Sequence, residues 1–241
     1  MTFEIIATGS DGNATVINDC VLIDCGVPYK ALKHHVKRLQ LVLLTHEHGD
    51  HFNPATATRM AQERPALRWA CCPWMVEKLI QAGVQRRQID VLEPGRAAGY
   101  KSGVVIRPEA TPHNVQNCAW KVAFVLRDHA ERLFYATDCG TLDGISAKDY
   151  DLYMVEANHV KAEIEARAAE KLAAGEYAYE IRAAENHLSL EQAQDWLAQN
   201  MGPKSQWVPM HQHKNKGGAD HEHGIFDGPT DQGPGAAIHG E

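Results

Sequence analysis

The sequence predicts an α/β protein, and three features carry that prediction. Strand-length apolar runs alternate with helix-like stretches over residues 2–92, and residues 100–156 are denser in alternating or apolar runs. The run Leu41-Val42-Leu43-Leu44 is unbroken, as in a strand buried on both faces. With 241 residues, 44% hydrophobic and 23% charged, the chain can bury a sizeable core as one domain, or as one domain with an insertion.

Residues 2–8 (Thr-Phe-Glu-Ile-Ile-Ala-Thr) read as a first strand. Gly9-Ser10-Asp11-Gly12-Asn13 is a glycine-rich turn, followed by a hairpin pair over residues 14–18 and 21–24. Pro28 opens a helix expected through residue 39, and Pro54 sits where another can begin, continuing to residue 64. Residues 67–72 read as a strand, 74–82 as a helix stopped by Gly83, and 89–92 as a short strand. Further strands are expected at 104–108, 119–127, 132–137 and 152–156. Residues 160–183, rich in Ala, Glu, Lys and Arg, read as a helical insertion. Residues 188–199 form an amphipathic helix with Ser189 as N-cap, and 205–210 a last strand. Beyond Lys214 the composition turns to Gly, Asp, His and Pro, so a domain over 1–213 is expected to end in a flexible tail, 214–241.

The six cysteines (Cys20, Cys25, Cys71, Cys72, Cys118 and Cys139) are scattered through apolar contexts and read as reduced, mostly buried thiols. A strand through Cys71 and Cys72 points them to opposite faces. No leading apolar segment resembles a signal peptide and no run reaches membrane-span length; a soluble, cytoplasmic protein without membrane association is expected. The net charge of −7, with only modest basic clusters at residues 30–38 and Arg86-Arg87, weighs against a long polyanionic substrate.

The chemistry concentrates after Leu44, in Thr45-His46-Glu47-His48-Gly49-Asp50-His51. His46 and His48 are two apart, so in an extended segment their imidazoles project the same way. Gly49 lets the chain turn and aim Asp50 and His51 elsewhere. H-x-H-x-D-H straight after a buried strand is a metal-ligand cluster. Two metals need about six or seven ligands, so others must come from outside this loop.

The stretch resembles the signature of the metallo-β-lactamase superfamily, and later motifs follow in that family's order over most of residues 1–213. The resemblance implies a four-layer αββα sandwich. His113, in Ala110-Thr111-Pro112-His113-Asn114, falls where the superfamily's third histidine is expected. Asp138, in Thr137-Asp138-Cys139-Gly140, resembles the carboxylate that bridges two metals, though an aspartate there is also ordinary turn chemistry. Aspartate rather than cysteine at this point is similar to the phosphodiesterase and thioesterase branches. Trp207-Val208-Pro209-Met210-His211-Gln212-His213 supplies the last ligand, with His211, first after the apolar run, preferred to His213. His221 and His223 also form an H-x-H, but no strand frames them and they read as tail composition. On this reading His46, His48 and His113 hold one ion, Asp50, His51 and His211 the other, and Asp138 bridges. Two divalent ions, Zn or Mn, about 4 Å apart would share a hydroxide that attacks the substrate. Asp24 is similar to the superfamily's early aspartate, which supports the metal loop. The glycine-rich turn is either simple hairpin chemistry or a loop whose amides border the site, as in the members it resembles.

Asp151-Leu152-Tyr153-Met154-Val155-Glu156-Ala157-Asn158 resembles a carboxylate motif of the ribonuclease Z-like branch, in which the glutamate contacts a histidine set before a helix. Here that histidine is His187, in Asn186-His187-Leu188-Ser189. Glu156 would orient and charge the imidazole, which could protonate a leaving alkoxide; alternatively the segment only caps a helix. Asp50, His187 and Glu156 are the expected catalytic residues. Together with the early Gly-Ser-x-Gly-Asn loop, these motifs resemble the YycJ-type exonucleases and phage enzymes that hydrolyse cyclic nucleotides. Acidity and the absence of the long arm with which ribonuclease Z enzymes hold tRNA favour a small, cyclic nucleotide. A DNA or RNA exonuclease is the alternative, and a lactonase or thioesterase of the same fold the second. The resemblance also implies a homodimer.

Overall fold

The computed structural model describes residues 1–212 and the two-residue strand Phe226–Asp227. The first half contains β1 (Phe3–Ala7), β2 (Ala14–Ile17), β3 (Val21–Ile23), α1 (Tyr29–Leu32), β4 (Leu41–Leu43), α2 (Pro54–Glu63), β5 (Arg68–Cys71), α3 (Val76–Gln81) and β6 (Ile89–Val91). The second contains β7 (Ala98–Gly99), β8 (Val104–Thr111), β9 (Asn117–Val125), β10 (Ala130–Ala136), β11 (Leu152–Glu156), α4 (Lys161–Ala173), α5 (Tyr179–Asn186), α6 (Leu190–Asn200), β12 (Gln206–Met210) and β13 (Phe226–Asp227). One sheet is ordered β1-β2-β3-β4-β5-β6 and the other β13-β12-β11-β10-β9-β8-β7.

Side-chain alternation along these strands builds four layers. Leu41 and Leu43 face the second sheet and pack with Ile106, Trp120, Tyr135, Met154 and Val208. Val42 and Leu44 face the other way, onto Leu32, Met60 and Leu79 of the first helical layer. On the far side Phe134, Tyr153 and Trp207 meet Leu188, Trp196 and Leu197. The order is helices, sheet, sheet, helices, as the resemblance implied. Each large apolar side chain closed into these layers contributes about 1.5–3 kcal/mol. Cys71 and Cys72 do point to opposite faces, one into the helix-facing core and one between the sheets. All six cysteines are free, and five are buried.

Several expected elements differ. The first helix stops at Leu32, and residues 33–38 are turns. There the bonds alternate between three-residue closures (His35 N–H to Leu32 O) and four-residue ones (Leu39 N–H to His35 O), which breaks the regular ladder. The apolar spacing survives, since Leu32, Val36 and Leu39 are all buried. Pro73–Met75 form a 3-10 turn ahead of α3. Strand β8 runs on through Pro108, whose carbonyl accepts from Gly95 N–H on the side away from β9; the missing proline N–H faces that side and interrupts no β8–β9 bond. The helical insertion is two helices, α4 and α5, and reaches Asn186. Its charged interior contact is Lys171 Nζ to Glu180 Oε1, 2.6 Å. Ser189 caps α6 as expected and forms a reciprocal box with Gln192. Of the expected tail, residues 214–241, all but Phe226–Asp227 lie outside the described residues; that strand pairs antiparallel with Trp207 and Gln206. Among the described residues no helix is long and apolar enough to cross a membrane.

Strand direction gathers the chemistry at one rim. β3, β4, β5 and β6 are mutually parallel, as are β10, β11 and β12. Ala136 pairs with Val155, Val155 with Pro209, and Glu156 with Met210. Residues just past these registered ends therefore share one edge, the place where open α/β sheets bind ligands.

Candidate metal centre

Among the described residues two groups that together hold every expected ligand meet on this rim: His46, His48 and His113, and Asp50, His51, Asp138 and His211. A third, overlapping group joins Asp138 and His211 to Glu156 and His187. In the first group His46 Nε2 lies 3.0 Å from His48 Nδ1, and His113 Nε2 3.4 Å from the same atom. In the second, Asp50 Oδ2 stands 3.6 Å from both His51 Nε2 and His211 Nε2. Asp138 Oδ2 touches His51 Nε2 and lies 3.6 Å from His46 Nε2, so this one oxygen faces both groups. His213, the alternative to His211, lies outside the described residues, as do His221 and His223.

The far nitrogens of His46, His51, His113 and His211 have partners, which fixes where their lone pairs point. His51 Nδ1 donates to Asp24 Oδ2 at 2.7 Å. Asp24 also accepts the Thr45 N–H and hydroxyl, both at 2.9 Å, and His46 Nδ1 donates to the Thr45 hydroxyl oxygen at 3.0 Å. One buried carboxylate thus orients two candidate ligands. His113 Nδ1 donates to the Asn186 carbonyl, 3.1 Å away, leaving Nε2 unprotonated toward His48. His211 Nδ1 lies 3.3 Å from both Asp138 Oδ1 and Glu156 Oε1.

A divalent cation fits these donors. Both Asp138 oxygens and His211 Nε2 are buried without a well-formed hydrogen bond, although a histidine nitrogen stands within ion-pair range of each Asp138 oxygen and Asp50 Oδ2 within range of His211 Nε2. A hydrogen-bonding site would leave no such orphans. Unprotonated imidazole nitrogens converging on a common point are electrostatically unfavourable until a cation sits among them. Burial, and then the neighbouring His51, push His46 far below the ordinary histidine range, so it stays neutral and able to ligate. Imidazole and carboxylate donors suit Zn, Mn, Fe or Co. When bound, such ions polarise a substrate oxygen and lower the pKa of water toward neutrality.

The backbone is held in an uncommon state at three places here. Asp24, Asp138 and His211 have φ of +58°, +53° and +50°. Left-handed non-glycine residues cluster where structure over-determines them, commonly at functional sites. His211 N–H donates to the Thr8 hydroxyl at 2.8 Å and its carbonyl accepts from Asn158 Nδ2 at 2.9 Å, which holds that turn.

Glu156 and His187 are together as expected. His187 Nδ1 is 2.5 Å from Glu156 Oε1 and 3.1 Å from Asp138 Oδ1. Glu156 is fully buried and its other oxygen accepts Cys139 N–H at 3.0 Å. Burial disfavours a charge on His187, but Glu156 and then Asp138 outweigh it and raise the imidazole to about 10.

The glycine-rich turn does border the site, chiefly through a side chain that sequence reasoning passed over. Asn13, fully buried, donates from Nδ2 to the Gly9 and Asp50 carbonyls at 3.1 and 3.2 Å, and that nitrogen lies 2.8 Å from His51 Nε2. Thr45, Asn158 and the Asn186 carbonyl were missed as well. Of these only Asn13, between two glycines and a strand, carried any signal.

A family model described as a beta-lactamase superfamily domain matches residues 20–212. Comparison with curated protein sequences finds no match. Among solved structures, the metallo-β-lactamase fold protein YhfI from Bacillus subtilis is similar over 88% of this chain and 87% of its own, with a TM-score of 0.65 at 15% identity. The short form of human tRNase Z is similar over 89% of this chain and 93% of its own, with a TM-score of 0.63 at 15% identity. A diphosphatase from the PhnP family is similar over 88% of this chain and 86% of its own, with a TM-score of 0.56 at 14% identity. At these identities the likeness is one of fold.

Proposed function

The chain belongs to the beta-lactamase superfamily domain family as a metal-dependent hydrolase, and from that premise we propose that it hydrolyses phosphodiesters, with a small cyclic nucleotide as the favoured substrate. The observation that carries the reading is the contact between His187 and Glu156 beside Asp138. A thioester needs no such donor, because its thiolate departs without a strong acid. A nucleotide's alkoxide does need one.

In this reading His46, His48 and His113 would hold one ion and Asp50, His51 and His211 a second, with Asp138 available to both and Zn or Mn as the ions. Asp24 and the Asn186 carbonyl keep the ligand nitrogens aimed inward. Glu156 holds the proton of His187 Nδ1, which leaves Nε2 as the nitrogen that passes a proton to the departing oxygen. The positive ring also steadies charge on the phosphoryl oxygens. Glu156, fully buried, keeps the ring from rotating.

The net charge of −7 supports a small substrate over a long nucleic acid. The names of the fold relatives, a tRNase and a diphosphatase, show that this fold accommodates phosphate ester and anhydride chemistry. A homodimer remains part of the proposal from the family resemblance, and sedimentation as a monomer removes it.

Hydrolysis of a cyclic mononucleotide and of an end-labelled oligonucleotide duplex by Mn- or Zn-loaded protein, with Asp50→Ala and His187→Ala alongside, tests this reading. Cleavage of the cyclic nucleotide alone supports it. Trimming of the duplex alone replaces it with an exonuclease, and cleavage of neither moves the search to lactones and thioesters.

A further inference from the structure

The three residues that end α5 and follow it each touch a different part of the site. The Glu185 carbonyl lies against Gly140, where an added Cβ would meet that oxygen at 2.5 Å. The Asn186 carbonyl accepts from His113 Nδ1 at 3.1 Å. His187 then reaches Glu156 and Asp138. Gly140 is tied from its other side too, since its N–H donates to the Pro112 carbonyl, one residue before His113, at 2.9 Å.

Gly140 is not among the glycines with positive φ, so no backbone dihedral requires glycine there. The requirement is space. The atom facing it is a backbone oxygen on the last turn of a helix, which cannot swing aside as a side chain would. Two residues earlier stands Asp138, and the carbonyl one residue on from that oxygen is the acceptor for His113.

We propose that Gly140 is a positioning residue for the proton donor. Its bare Cα seats the last turn of α5 on the loop behind Asp138, and that seating sets His187 directly and His113 through the Asn186 carbonyl. The inference rests on the phosphodiesterase reading for its kinetic consequence, because only there does His187 serve a poor leaving group. A methyl group at position 140 moves the α5 terminus away from Asp138. A displacement of about 1 Å in a catalytic group costs on the order of tenfold to a hundredfold in rate.

The test compares unaltered protein, Gly140→Ala and Gly99→Ala, the last a control whose Cβ meets nothing closer than 3.9 Å. Each is loaded with Mn and assayed on bis(p-nitrophenyl) phosphate, whose leaving group needs no acid, and on a cyclic mononucleotide, whose leaving alkoxide does. The ratio of the two rates is independent of the folded fraction, so a partly unfolded variant is still informative. The ratio of cyclic nucleotide to aryl ester is expected to fall about tenfold or more in Gly140→Ala and to stay unchanged in Gly99→Ala. An equal fall on both substrates, or none, overturns the proposal. The ligand-field spectrum of Co(II)-loaded protein supplies a readout apart from turnover and is expected to change in Gly140→Ala as His113 shifts. If the unaltered protein does not cleave both esters, the phosphodiesterase reading is what has failed, and an unchanged Co(II) spectrum then overturns the seating by itself.

Discussion

His187 Nδ1 stands 2.5 Å from Glu156 Oε1 and 3.1 Å from Asp138 Oδ1, so a single ring nitrogen joins the proposed proton donor to the carboxylate that faces both ligand groups. Removing the ring separates its role from metal binding. His187→Ala is expected to lower turnover of a cyclic nucleotide by about 10²–10⁴-fold while metal content by elemental analysis stays that of the unaltered protein. Retention of full turnover would remove His187 from the chemistry.

Asp24 reaches into the site without being among the candidate ligands. Its φ of +58° is one that asparagine tolerates, so Asp24→Asn keeps the backbone and removes the charge that holds His51 and Thr45. Metal affinity is expected to fall about 10–100-fold, read by competition with a chromophoric chelator. An unchanged affinity would reduce Asp24 to a turn residue.

The metal-free protein has a stability optimum set by its histidines and carboxylates. Burial opposes charge on His187 and His211, yet the facing carboxylates raise them to about 10 and about 9. Groups raised in the folded state stabilise fully below their unfolded pKa of about 6.5, and that contribution is lost as pH rises through 9 to 10. Asp138, Asp50 and Glu156 are instead held low against the cost of burial, Asp138 chiefly by His51 and His211. Their contribution is present above about pH 4 and lost on further acidification. Burial instead lowers His46 and His113, which cost stability as pH falls below about 6.5. The melting temperature without metal is therefore expected to peak at about pH 6.5 and to decline toward pH 10 by scanning calorimetry. A Tm that rises steadily from pH 6 to 10 contradicts this arrangement.

Metal binding must expel the extra protons held on the ligand histidines His51 and His211 and relieve the orphaned oxygens of Asp138. Chelation is expected to abolish hydrolysis and lower the melting temperature, with Zn or Mn restoring both. Free metal at 100 times its dissociation constant stabilises by about 2.7 kcal/mol. Calorimetric titration in buffers of different ionisation enthalpy should show proton release at pH 7. Hydrolysis that persists in chelator, in protein shown to be metal-free, rules out the metal-dependent reading.

The α/β class and half the site could be read along the chain because their signals are short-range, whereas the four-layer sandwich came from the family resemblance. The Leu41–Leu43 strand, its unbroken burial and the His46-x-His48-x-Asp50-His51 spacing all fall within eleven residues. Ser189 announces α6 for the same reason, since capping is decided within one turn. Where competing local geometries were close in energy, as over residues 33–38, apolar spacing predicted the buried face but not the regularity of the helix.

His113, Asp138, Glu156, His187 and His211 are single residues in ordinary surroundings, and their positions in sequence contain no statement that they meet. Family resemblance put them on one list; the parallel register of β10, β11 and β12 puts three of them on one rim. The supporting contacts were less visible still. Asn13 and Asn158 look like loop polar residues, and the Asn186 and Glu185 carbonyls have no side-chain identity at all. Residue type and local spacing determine which groups can bind metal or carry a proton. Their aim depends on hydrogen bonds between strands and loops far apart in sequence, and only the packed tertiary structure decided that.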